Sequence, residues 1–159
     1  MSQRLVLGIG NLLMGDEGVG VHAIETLAAE AWPADVALLD GGTGGFHLLE
    51  VLHTHGEIVM IDATMDGQEP GTVTVLRPTY ASDFPRSLSA HDIGLRDMVE
   101  ATQLTRALPT ITLITVSIAS VQPMELALSP AVAAALPDVR RQVRAALSPQ
   151  GALTGAPAA

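Results

Sequence analysis

Short apolar runs alternate along the chain with stretches whose apolar residues recur every three or four positions. That alternation predicts an α/β domain built on a largely parallel sheet. Arg4 to Ile9 reads as the first strand, and Gly18 to Glu30 as a helix with Val19, Ala23, Ile24, Leu27 and Ala28 on one face. Pro33 ends this helix, and Val36 to Leu39 is a second strand finishing at Asp40. The loop Gly41-Gly-Thr-Gly-Gly45 leads to a helix carrying Phe46, Leu49, Val51 and Leu52, and Ile58 to Ile61 is a third strand finishing at Asp62. Turn signals at Asp66-Gly67 and Pro70-Gly71 precede an alternating strand, Thr72 to Leu76. A long loop then runs from Arg77 to His91, a helix from Ile93 to Thr102, and a buried strand from Ile111 to Ile118. Ser129-Pro130 supplies an N-cap and a first-turn proline for the last helix, which Pro137 should kink or split. Residues 1–148 thus read as one domain, and the Gly/Pro/Ala-rich residues 149–159 as a disordered tail. There is no internal repeat and no linker.

Composition narrows the class. Hydrophobic residues make up 48% of the 159 but aromatics only 3%, so the core must rest on Val, Leu, Ile, Ala and Met. No apolar run reaches the ~18 residues of a membrane span, and the chain enters a strand at once, without a signal-like segment. A soluble, cytoplasmic protein that engages no membrane is therefore expected, and we expect it to be a monomer. Cysteine is absent, which excludes disulfides and thiolate metal ligands. The net charge is −9, and the eight basic residues are all arginine. Lacking lysine, the chain can form neither a P-loop nor a Schiff base. So few cations also argue against a nucleic-acid partner. The acidity would suit a basic segment or a bound metal, although it also serves plain solubility.

The chemistry concentrates at Gly8-Ile-Gly-Asn-Leu-Leu-Met-Gly-Asp-Glu-Gly-Val-Gly20. A strand entering a glycine-rich turn suggests a dinucleotide site, but the third glycine of that fingerprint is replaced by Leu13. Asp16 and Glu17 then stand where a pyrophosphate would meet the helix N-terminus, and they would repel it. The turn looks built to meet a cation. Glu17 lies past the first strand, while Asp40 and Asp62 end the second and third, so all three can converge on the crevice at the carboxyl ends. His91, in Ser89-Ala-His-Asp-Ile-Gly94, is the fourth candidate, from a loop too long to be idle in a compact domain. Each also has an ordinary reading. Asp16 can cap a helix, Asp40 can hold the glycine loop, Asp62 can cap the turn at Ala63-Thr64, and His91 can be a plain loop residue. Together, two carboxylates and an imidazole suit a first-row divalent ion such as Zn, Ni, Mn or Fe, with positions left open for water or substrate. On the residues alone, a metal-binding hydrolase leads. A Rossmann-like nucleotide-binding oxidoreductase is the alternative.

At these residues the sequence resembles the [NiFe]-hydrogenase maturation endopeptidases. The resemblance rests on Gly8 to Gly20, on Asp40-Gly-Gly-Thr-Gly44, on Ile61-Asp62-Ala63 and on His91-Asp-Ile-Gly-Leu95, in order and spacing from about Arg4 to Leu147. It implies a single open, mostly parallel twisted sheet with helices on both faces. It also implies a protease that trims a C-terminal extension from the hydrogenase large-subunit precursor once nickel is loaded. By motif position, Glu17, Asp62 and His91 would contact the nickel, which belongs to the substrate, so the isolated enzyme need hold none. Asp40 falls in the family's D-G-G-T loop. With no cysteine and no Ser/His/Asp order, water is the expected nucleophile, activated by the metal or by a carboxylate such as Asp40 or Asp62. A non-proteolytic nickel assembly factor would use the same ligands.

Overall fold

The computed structural model describes residues 4–42, 46–80, 83–85, 100, 104 and 109–148. In chain order the elements are β1 (Arg4–Gly8), a 3-10 turn (Gly15–Gly18), α1 (Val19–Leu27), β2 (Val36–Asp40), α2 (Phe46–Thr54) and β3 (Glu57–Thr64). They continue with β4 (Val73–Leu76), β5 (Thr110–Ser117), α3 (Pro130–Ala133) and α4 (Leu136–Leu147). The strands form one sheet in the order β2-β1-β3-β5-β4, parallel except for β4, which runs antiparallel along one edge.

Alternation within the strands decides what each face buries. Leu5, Leu7, Ile58, Met60, Ile111 and Leu113 pack with Val51 and Leu52 of α2 and with Phe84. Val6, Val59, Ile61, Ala63, Ile114 and Val116 pack instead with Val19, Ala23, Ile24 and Leu27 of α1, Val132 of α3, and Val139 and Val143 of α4. Helices therefore cover both faces, which explains why β1, β3 and β5 read as nearly continuous apolar runs.

Three expectations need correcting. The first helix stops at Leu27 instead of Glu30, where the Trp32 indole N–H donates to the Leu27 carbonyl at 2.8 Å and closes its end. Asp62 does not end its strand. β1 leaves the sheet after Gly8↔Ile61, but β3 continues against β5 through Asp62↔Thr115, Ala63↔Val116 and Thr64↔Ser117. The longer partner sets the strand's extent, so Asp62 is a strand residue. Ser129 does occupy the N-cap position before Pro130, but its hydroxyl makes no cap bond. Pro137 splits the last helix as expected: the N–H groups of Asp138 and Val139 both reach the Ala135 carbonyl at 3.0 Å and start α4. Pro137 falls in that first turn, where its missing N–H costs little.

Among the described residues, the ion pairs of Arg4, Arg140 and Arg144 gather at the amino ends of the strands. Arg4 grips Asp35 at 2.8 Å and donates to the Leu147 carbonyl at 2.6 Å. Hydrogen bonds from Arg144 and Arg140, each 2.7 Å, hold the Glu30 carboxyl below the usual carboxylate range, and Arg144 lies 4.1 Å over the Trp32 ring.

Candidate functional site at the carboxyl ends of the strands

β1 is followed in space by β2 on one side and β3 on the other, with α1 and α2 covering opposite faces. The crevice beyond β1 and β3 is therefore the switch point of the sheet, where ligands of open α/β folds bind. Glycines bring the surrounding backbone together. Gly8 packs its Cα against the Gly20 carbonyl, and Gly20 packs against the carbonyls of Ile9 and Ile61, so a Cβ at either position would collide with backbone. Gly10, at φ +150°, lies against the Glu17 carbonyl in the same way. This close approach locks the 3-10 turn onto the end of β3.

The turn carries Asp16 and Glu17, 3% and 1% exposed, and Asp62 on β3 is fully buried. Charged residues almost never reach such burial without a compensating purpose. Asp16 has a structural one. Its carboxylate accepts the Ser129 N–H at 2.7 Å, and its own N–H donates to Gln122 Oε1 at 2.8 Å. It thus caps a helix, though α3 and not the first one. Gln122 was invisible to sequence reasoning, since nothing local marks a glutamine that reaches back over 106 residues. One oxygen of Asp62 accepts the neighbouring Ala63 N–H at 2.8 Å, but Ala63 and Thr64 continue β3, so the turn expected there, and its cap, do not form. Glu17 precedes α1, on one face of the sheet. Asp62 follows Ile58 and Met60 on the α2 face of β3.

Asp40 differs from both. It ends β2, is exposed, and accepts the Gly42 N–H at 2.8 Å. That closes a turn with Gly42 at φ +55°, whose carbonyl takes the Gly10 N–H at 2.8 Å, while Gly41 N–H reaches the Gly8 carbonyl. The loop-holding role expected of Asp40 is the one the structure contains. His91, the helix expected at Ile93 to Thr102 (apart from Glu100) and residues 149–159 lie outside the described residues. Among the described residues no three His, Cys, Asp or Glu side chains are grouped so as to hold a metal ion. Of the other histidines, His22 Nε2 meets the Leu126 carbonyl at 3.0 Å, and His55 Nδ1 the Val51 carbonyl at 3.1 Å. No helix among the described residues is long and apolar enough to cross a membrane.

Fold and site together define an open α/β protein whose ligand crevice is acidic and lacks the glycine pattern of a dinucleotide site. Comparison with known proteins makes this specific. Residues 21–146 match the HycI family, described as hydrogenase maturation protease, and the chain belongs to that family. It is 36% identical over 151 residues to the hydrogenase 2 maturation protease of Escherichia coli K12, covering 92% of both chains. It is 39% identical to the hydrogenase expression/formation protein HupD of Rhodobacter capsulatus, over 89% of this chain and 71% of that one. The solved structure of the maturating endopeptidase HybD from E. coli superposes with a TM-score of 0.82 at 36% identity, covering 91% of each chain. The protein is a peptidase of the hydrogenase maturation type, and the oxidoreductase alternative falls away.

Proposed function

We propose that this endopeptidase removes a C-terminal extension from the precursor of a [NiFe]-hydrogenase large subunit, and that nickel already seated in the precursor is what it reads. It acts in the cytoplasm, as a monomer. The supporting observation is the pair of buried carboxylates, Glu17 on a turn locked against β3 and Asp62 on β3 itself, at the switch point. In this reading they and His91 contact the nickel of the substrate. The donor set fits that division. Two carboxylates and an imidazole, with no thiolate, suit several divalent ions and select none of them, so selectivity comes from the precursor's own nickel site. The metal then serves as a checkpoint shared between two proteins.

Cleavage uses water as the nucleophile, because the chain has no cysteine and shows no serine–histidine–aspartate order. Asp62 and Asp40 are the two carboxylates proposed to take its proton. Asp62 is buried beside the site, whereas Asp40 is exposed on the Gly41-Gly42 turn that hydrogen-bonds to Gly10. Incubation with nickel-loaded precursor, followed by intact-mass analysis, tests the reading. Loss of one C-terminal fragment is expected, and an unchanged precursor mass would contradict it.

A further inference from the structure

Leu13, Met124 and Leu126 project into solvent, 52%, 85% and 58% exposed, from two segments paired beside the turn that carries Glu17. We propose that they form a docking patch for an apolar segment of the hydrogenase precursor, an inference that rests on the endopeptidase reading above. The two segments are joined by backbone bonds. Met14 bridges Glu125, Gly15 N–H donates to the Glu125 carbonyl at 2.7 Å, and Glu125 N–H donates to the Leu13 carbonyl at 3.2 Å. Leu13 is thus held in register with its neighbours, four residues before Glu17. The patch therefore borders the turn that carries Glu17.

The polar side chains here are engaged by hydrogen bonds of their own. Gln122 Oε1 accepts from Asp16 N–H, and its amide donates to the Ser120 carbonyl and hydroxyl. Glu125 Oε1 accepts the Ala127 N–H at 2.9 Å, which draws its carboxylate away from the two apolar residues flanking it. The amide and the carboxylate are thus held by backbone and hydroxyl partners, while the large apolar groups are presented to solvent with none. Such patches mark interaction sites.

Met124 adds an independent observation. At φ 61° it is the only non-glycine residue with positive φ among the described residues. A side chain there is sterically disfavoured, and at 85% exposure it gains little packing within the chain. The conformation aims an unbranched, adaptable side chain outward, a residue type suited to accommodating a partner's surface. A metal ion or small polar ligand would gain nothing from it. A second copy of this chain is disfavoured by the net charge of −9 that each copy carries. The protein substrate, whose proposed site lies on the turn that these segments flank, is the occupant that fits.

Met124→Gly tests the patch, because glycine relieves the backbone while deleting the apolar group. With nickel-loaded precursor, KM is expected to rise about tenfold, the size of a modest interface anchor. Values of kcat should stay within about twofold, and Tm should equal or exceed that of wild type. Met124→Leu should keep the wild-type KM, Leu126→Ser should shift it like Met124→Gly, and Val75→Thr on the edge strand should not. A wild-type KM for Met124→Gly, or a wild-type dimer that this variant dissolves, would overturn the proposal. Failure of wild-type enzyme to cleave would instead count against the endopeptidase reading. Direct binding of the precursor to wild type and Met124→Gly, read by interferometry, then still decides whether the patch docks it.

Discussion

Glu17→Gln and Asp62→Asn are each expected to slow cleavage of nickel-loaded precursor by about a hundredfold or more, the usual scale for removing one charged group from a reacting site. Both replacements keep shape and volume at positions 1% and 0% exposed, so packing survives and only charge and metal-binding basicity are lost. Circular dichroism and thermal unfolding should therefore resemble wild type. Asp16→Ala should do the reverse, although its side chain is adjacent in sequence. It leaves the Ser129 N–H without its acceptor and costs about 1–2 kcal/mol, while the folded fraction cleaves normally. Cleavage by folded Glu17→Gln and Asp62→Asn at the wild-type rate would remove these residues from the site.

Gly20→Ala should be the most damaging single change to the fold. The added Cβ would meet the main-chain carbonyls of Ile9 and Ile61, which are fixed by the Ile9 N–H to Ile61 carbonyl bond of 2.9 Å. No flexible side chain is available to give way, so α1 must lift from the sheet. Overpacking of this kind costs about 3 kcal/mol. For a chain of 159 residues that lowers Tm by about 6–12 °C. Because the displaced segment also carries Glu17, activity should fall further than stability alone explains. A Gly20→Ala variant with wild-type Tm would show that the close approach of α1 to β1 and β3 is not needed.

The sheet was legible wherever burial on both faces wrote itself into local composition, as at Leu5 to Ile9, Ile58 to Ile61 and Ile111 to Ile118. Punctuation by proline was legible too, since the effect of Pro137 on a helix is local. What stayed hidden was long-range. The extension of β3 past Asp62 depends on β5, and the cap on Ser129 comes from Asp16, 113 residues earlier. Glu17 could be singled out because the glycines mark the turn at the switch point, and Asp62 because the apolar run before it is local, although the strand itself runs on to Thr64. Gln122 and the outward Met124 could not, because Val121 to Leu126 has no periodicity, and only the finished fold brings it against Met14.

The central claim, that nickel in the precursor licenses cleavage, is tested by metal ownership. Enzyme stripped of metal is mixed with nickel-loaded precursor and, separately, with nickel-free precursor, no metal being added to either, and the C-terminal fragment is followed by intact mass. The account predicts cleavage of the loaded precursor alone; equal rates for the two forms would contradict it.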